Sequence, residues 1–303
     1  LFIKKEAFYN CSSLKSIVIP PSVFAIGENC FMNCVNLETF GIGTDSMNSN
    51  DDQTWLEIIE RRAFKNCSSL KTIQIPSTCY TIGSEAFMNC INLEKFECNS
   101  FDMNSIEYRT FYNCKSLKRI ELLLHLPMIN KHYDEEEEEE EEERSYCCCT
   151  NKENDVNFSI NAEAFMNCES LSEVIIEDDS WNKNLLIINK DNLPVYNFRY
   201  EIRVPHSSMV HSRAFYNCKS LVRVRIFLEN LTCFKLLSFF NCSSLNTIEI
   251  NSKYWKLMFT TNLCRNAFEG TPEDLEIKLF NQGKIVENPF ALIHNIDDVL
   301  QLK

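Results

Sequence analysis

One short pattern returns along this sequence and decides what the chain can fold into. Its anchor is a phenylalanine at Phe8, Phe31, Phe64, Phe87, Phe111, Phe165, Phe215, Phe239 and Phe268, at intervals of 23, 33, 23, 24, 54, 50, 24 and 29 residues. The first eight copies read Phe-x-Asn-Cys. A fixed period of this size marks a solenoid, in which each unit is too small to bury its own apolar face and gains a core only by stacking on its neighbours. Intervals longer than 24 read as that period plus an insert or a decayed unit.

Each repeat carries a strand signature after the cysteine. Leu14, Ile17 and Ile19 form Leu-x-x-Ile-x-Ile, which returns as Leu37-Phe40-Ile42, Leu70-Ile73-Ile75, Leu93-Phe96-Cys98, Leu117-Ile120-Leu122, Leu171-Val174-Ile176, Leu221-Val224-Ile226 and Leu245-Ile248-Ile250. Alternation over the last positions puts one face in and one out. Strands this short pair with their equivalents in adjacent coils, giving a parallel ladder spaced about 4.8 Å. Proline at Pro20, Pro76 and Pro205 ends the pairing, because it has no amide hydrogen. Gly27 and Gly83 suit a turn with positive φ. The phenylalanine packs from the opposite side of the coil. The recurrent Asn stands at the bend back to the strand, where its side chain is expected to cap backbone groups of the adjacent coil.

This register divides the chain. Residues 1–124 are the N-terminal part of the array, beginning inside a repeat at Leu1, so a truncated start is expected. Residues 125–153 are an insert carrying Asp134 and the run Glu135 to Glu143, which repels itself and is expected to be disordered. Residues 154–280 continue the array and include a degenerate repeat near 193–214, with Leu193 in the Phe position, Ile202 and Val204 in the strand and Pro205 after it. A smaller polar insert falls near Gly43 to Gln53. In residues 281–303, Phe290, Ile293, Ile296 and Leu300 have roughly helical spacing and suggest a terminal cap.

Ten of the charges behind the formal net of −13 come from the Asp134–Glu143 run, which leaves the folded part near neutral. That argues against nucleic acid as a partner. No stretch reaches the roughly 18 apolar residues that a membrane span needs.

The run Ala7-Phe8-Tyr9-Asn10-Cys11-Ser12-Ser13-Leu14-Lys15-Ser16-Ile17-Val18-Ile19-Pro20-Pro21-Ser22-Val23, continued by Ile26-Gly27, resembles the BspA-like leucine-rich-repeat family. The base period of 23 to 24 lies inside the 20 to 29 range of leucine-rich repeats. The resemblance implies a solenoid of mostly strand and loop, with short parallel strands in a curved ladder and irregular or short helical segments on the opposite side. It also implies adhesion or protein binding, commonly at a cell surface, with a protein or glycan ligand, no cofactor and no catalytic residues.

Eight of the sixteen cysteines share one repeat position: Cys11, Cys34, Cys67, Cys90, Cys114, Cys168, Cys218 and Cys242. Neighbours in a parallel stack would have Cβ atoms about 4.8 Å apart, beyond the roughly 3.8 Å mean of a disulfide, so buried free thiols are expected. Intervals of 23 residues are also unlike the short paired spacing of zinc sites. Cys147, Cys148 and Cys149 read as exposed insert thiols. Glycosylation sequons at Asn10, Asn66 and Asn241 fall inside the bend, where a glycan would clash; Asn157 and Asn230 add two more. Free thiols and structural sequons favour a reducing compartment and an intracellular scaffold. The family resemblance favours the surface.

His125, His132, His206, His211 and His294 do not recur with the repeat. A dyad of His206 or His211 with Cys218 is opposed by the structural position of Cys218, where burial would keep the thiol protonated. Six glycines leave little material for a phosphate cradle. The Glu run lacks the spaced ligands of a calcium loop. The better candidate is the outward side of the ladder, where Gln74, Lys95, Glu97, Arg119, Glu121, Glu173, Arg223, Arg225 and Glu249 should stand in two columns and line the concave ligand face. Alternative contact areas are the inserts and the aromatic, basic stretch from Tyr196 to Arg203.

Overall fold

The computed structural model describes residues 1–43, 54–98, 103, 105–124, 158–178, 185–189, 208–228, 230–252 and 265–280. Among these, nine strands stack in parallel, in sequence order: Ser16–Ile19, Thr39–Ile42, Thr72–Ile75, Lys95–Cys98, Arg119–Leu124, Glu173–Asp178, Arg223–Phe227, Thr247–Asn251 and Glu276–Phe280. The repeat residues face one another in register, as Ile17 opposite Phe40, Ile73 opposite Phe96, Ile120 opposite Val174 and Val224 opposite Ile248. Thr72–Ile75 alternates exposed and buried, as the Leu-x-x-Ile-x-Ile pattern requires.

The other side of the coil was expected to be irregular or helical. It is largely turn, as expected, and it also holds short parallel strands of its own. Phe2–Ile3, Ala25–Ile26, Ile58–Ile59 and Thr81–Ile82 form one small sheet. Ser105–Ile106, Ser159–Ile160, Ser208–Val210 and Leu231–Phe234 form another. A 3-10 turn at Arg265–Phe268 is the one helical element among the described residues. Gly27 and Gly83 follow these strands, but neither has positive φ. Their requirement is space: a Cβ on Gly27 would lie 2.5 Å from the Lys5 backbone nitrogen, and one on Gly83 would lie 2.6 Å from that of Arg61.

Positive φ falls instead on two residues of each bend, as at Arg62 and Asn66 or Glu85 and Asn89. Asn is the side chain that best tolerates that region, which accounts for its return in every Phe-x-Asn-Cys. The Asn side chains bond to one another rather than to backbone. Asn33 donates to Asn10 at 2.7 Å, Asn66 to Asn33 at 2.7 Å and Asn89 to Asn66 at 2.8 Å, always from Nδ2 to the Oδ1 one coil back. The expected capping of a neighbouring coil's carbonyl falls three residues later, where Asn36 donates to Ser12 O and Asn92 to Ser68 O, both at 2.8 Å. Bend amides alternate in use: Phe64 N and Asn66 N donate to the next coil, and Lys65 N and Cys67 N donate within their own.

Inside, the nine repeat phenylalanines form one stack with ring centroids 5.0 to 5.6 Å apart. The eight repeat cysteines line the same core and form no disulfide. From Cys34 onward each of the seven repeat thiols donates to the carbonyl of a phenylalanine one coil back, as Cys67 to Phe31 O at 3.1 Å and Cys218 to Phe165 O at 3.0 Å. Cys11 is the one of the eight that is only partly buried.

Both long intervals leave the ladder unbroken. Arg119–Leu124 pairs directly with Glu173–Asp178, and that strand pairs directly with Arg223–Phe227. The degenerate repeat read near 193–214 therefore has no place as a separate coil of the ladder. Ser208–Val210 belongs to the coil of Phe215, and Leu193, Ile202, Val204 and Pro205 lie outside the described residues. From the same interval, Leu185–Asn189 pairs antiparallel with Glu276–Phe280 and occupies the outer edge of the last ladder strand. Covering an edge in this way removes a row of unpaired backbone groups. The expected acidic insert at 125–153, the polar insert after Gly43 and the cap at 281–303 lie outside the described residues, as do Cys147 to Cys149.

Candidate functional site

All nine residues assigned to the outward face stand on ladder strands and fall into two adjacent columns. In the first, Lys95 lies between Thr72 and Arg119, and Glu173 between Arg119 and Arg223. In the second, Gln74 faces Glu97, Glu121 faces Ile175, and Arg225 lies between Ile175 and Glu249. Side chains i and i+2 of a strand share a face, so the columns run side by side across the coils.

Electrostatics divides the face in two. At one end Glu249 is 6% exposed and sits under two arginines. Arg223 donates to both its oxygens at 2.9 Å, and Arg225 Nε donates at 2.6 Å. Burial pushes the Glu249 carboxyl up, but the hydrogen bonds from Arg223 and Arg225 outweigh it and hold its pKa below the usual carboxylate value. Arg225 also lies over the Phe227 ring at 5.2 Å. Arg223 further approaches Glu173 at 3.7 Å. These groups satisfy one another and hold the ladder together. A ligand would have to break charge-assisted bonds to reach them.

Toward the middle the pairs are open. Arg119 meets Glu121 at 3.1 Å and Glu173 at 3.4 Å, with about half of the Arg119 side chain exposed. Lys95 pairs with Glu97 on the same strand. The two columns expected from the sequence leave out the one a residue earlier, formed by Lys15, Glu38, Lys71, Glu94 and Lys118. Its signal is present in the residue that follows each repeat leucine. Lys118 reaches Glu94 at 2.6 Å. Together Lys71, Thr72, Glu94, Lys95, Lys118 and Arg119 line a shallow concavity of about 430 Å³ on the sheet face.

The sequence profile of the family described as BspA type leucine rich repeat region matches residues 2–55, 44–133, 145–258 and 197–298, in six copies. The chain belongs to the BspA-type leucine-rich repeat family. Among solved structures, it is similar to a T. pallidum leucine rich repeat protein, with 21% identity over 59% of this chain and 64% of that one and a TM-score of 0.43. It is also similar to a leucine-rich repeat protein from Bacteroides ovatus, with 21% identity over 83% of this chain and 59% of that one and a TM-score of 0.36. The pneumococcal vaccine antigen PcpA is 19% identical over 78% of this chain and 52% of its own, with a TM-score of 0.42. The chain thus spans less than two thirds of the length of each of these proteins. No curated protein matches it.

Within this BspA-type array the other chemistry-bearing groups are tied into the fold. Cys218 is fully buried and burial pushes its thiol well above the ordinary value, so it is a protonated donor to Phe165 O and not a nucleophile. His206 lies outside the described residues, as does the stretch from Tyr196 to Arg203. Glu85, 5% exposed, is surrounded by Arg61, Arg62 and Lys65. Burial raises its pKa, but the hydrogen bonds from Arg62 and Lys65 prevail and bring it to about 2. Among the described residues no group of three or more His, Cys, Asp or Glu is placed to hold a metal ion. No helix of the described residues is long and apolar enough to cross a membrane.

Proposed function

We propose that the chain is a non-catalytic binding module that holds a protein partner on the outward face of its parallel ladder, in an adhesion or surface-antigen role. One observation carries this reading. Two columns of outward side chains run in register across the coils, and their middle part, from Thr72 and Gln74 to Arg119 and Glu121, is exposed and held only by surface ion pairs. A solenoid offers such a face as an extended platform. Photo-crosslinking side chains placed at Gln74 and at Met88, on the bend, test it on intact source cells. A partner captured from position 74 and not from position 88 supports the reading. Capture from the bend alone, or an unchanged yield when Arg119→Glu is added, overturns it.

A second reading, an intracellular scaffold, is favoured by the thiols and one sequon. The eight repeat cysteines form no disulfide, and Asn66 spends its Nδ2 on Asn33 and its Oδ1 on Asn89, leaving no room for a glycan in the ladder. Thiol titration after isolation without reductant separates the two. Native disulfides sink the scaffold reading, whereas thiols that react only after unfolding favour it.

A further inference from the structure

We propose that the concavity formed by Lys71, Thr72, Glu94, Lys95, Lys118 and Arg119 is a subsite for an acidic, extended peptide segment of the partner. The inference rests on the binding-module reading and names the chemistry that the middle of the face selects. Four of the six lining residues are cationic and one is anionic, in a chain whose formal net charge is −13. Most of that charge is the Asp134–Glu143 run, so the rest of the chain is near neutral and this spot is a local excess of positive charge that would attract carboxylates.

The cations here are available, unlike those over Glu249. Lys71 makes no direct ion pair among the described residues. Lys95 and Lys118 keep 64% and 65% of their side chains exposed while paired, and Arg119 keeps 52%. Exposed pairs of this kind contribute about 1 kcal/mol or less, so an incoming carboxylate exchanges one weak pair for another at little cost. Arg119 also presents a planar fork suited to a carboxylate. The Thr72 hydroxyl adds a donor and acceptor beside it.

The arrangement of signs favours a peptide over a densely sulfated glycan. Along the flanking column the order is Lys71, Glu94, Lys118, and along the neighbouring one Glu97 and Glu121 border Lys95 and Arg119. Lys71 and Lys118 are two coils apart, about 10 Å at ladder spacing. A ligand with an anion at every step meets Glu94 between the two lysines. A peptide with separated acids matches the lysines and has its own N–H groups to offer Glu94. Residues i and i+3 of a polyproline-II segment lie on one side about 9 Å apart, so Glu-x-x-Glu is the spacing that fits.

The test uses fluorescence anisotropy with a twelve-residue peptide carrying Glu at every third position, its Gln counterpart, and a heparin oligosaccharide. The protein is the full chain, run beside a variant with Glu135 to Glu143 changed to Gln to remove the chain's own competing acids. The expected result is binding of the Glu peptide at least tenfold tighter than the Gln peptide, weakened by added salt. Lys71→Glu with Lys118→Glu should cost at least tenfold. Lys15→Glu, in the same column but outside the concavity, should change binding by less than twofold. All three lysines are exposed, so circular dichroism should show each variant folded. Equal affinity for the Gln peptide, insensitivity to the double reversal, or tighter binding of heparin through the same lysines overturns the proposal. None of these outcomes touches the crosslinking at position 74, which judges the face as a binding surface independently.

Discussion

The rings of Phe111 and Phe165 lie stacked, with centroids 5.3 Å apart and planes 5° from parallel, although 54 residues separate them. The Phe165 and Phe215 rings repeat this at 5.1 Å across 50 residues. Coils that are remote in sequence are therefore immediate neighbours in the core.

The first prediction follows from that contact. Replacing residues 125–157 with about four residues should preserve the ladder, because Leu124 and Phe158 already stand in adjoining coils. Stability should stay level or rise by up to about 2 kcal/mol, since each halving of a closed loop recovers roughly 0.6 kcal/mol. Urea unfolding of the two chains measures this. A loss of several kcal/mol would show that the excised residues hold the coils together.

Gly27→Ala and Gly83→Ala should each destabilise by about 3 kcal/mol, as overpacking against immovable atoms does. The clashing atoms are backbone nitrogens at 2.5 and 2.6 Å, and backbone has no alternative rotamer. Gly41→Ala is the control. Its nearest neighbour would be Val18 Cγ2 at 3.6 Å, an ordinary contact, and a strand residue gains from losing glycine's freedom. A Gly27 variant as stable as the Gly41 one would disprove the close approach.

These glycines also show where sequence reading ends. Period, strand alternation and the burial of Phe and Cys are local signals repeated eight times, and both outward columns follow from the alternation alone. Gly27 looks like a turn glycine because nothing in the sequence reveals how near the preceding coil comes. The Asn position was legible as a bend, but φ is set by the chain's path, and amide partners depend on coil spacing. Leu185–Asn189 was missed for a third reason: its partner, Glu276–Phe280, is about 90 residues away and has no period to announce it. On the candidate face, the pattern gave the columns and not the division of charges. That Glu249 is buried and saturated while Arg119 is open depends on which strands adjoin after the inserts are passed.

Asn66 combines two roles that substitution can separate. Asn66→Gly keeps the left-handed backbone, φ 62°, and removes the bonds to Asn33 and Asn89. The expected loss is about 1 kcal/mol, the net value of such hydrogen bonds at a half-buried site. Asn66→Ala removes the same bonds and adds a further 1 kcal/mol or so for an L side chain held at positive φ. Chemical denaturation should therefore rank the chains Asn, Gly, Ala. Equal values for Gly and Ala would remove backbone conformation as the reason for this residue.

The thiol column gives the chain an alkaline limit. Burial pushes Cys90 and Cys242 from the ordinary 9.0 up to about 12, and raises Cys67, Cys114 and Cys218 well above it. Below pH 9 these thiols are protonated in both the folded and the unfolded chain, so their contribution to stability is complete and flat. Above pH 9 the unfolded chain loses thiol protons and the folded chain keeps them, so stability falls by about 1.4 kcal/mol per buried thiol per pH unit until the folded pKa is reached. Several thiols move together, and the loss should be cooperative between pH 9 and 11. Circular dichroism across that range, in reductant, reads it directly. Cys90→Ser with Cys242→Ser keeps a donor at each site and removes two titrations, so the decline should become shallower. Below pH 9 the folded chain should resist maleimide at these positions. Rapid labelling at pH 8, or a fold that persists unchanged to pH 12, would show that the cysteines are not the sealed, protonated donors that their bonds to the phenylalanine carbonyls require.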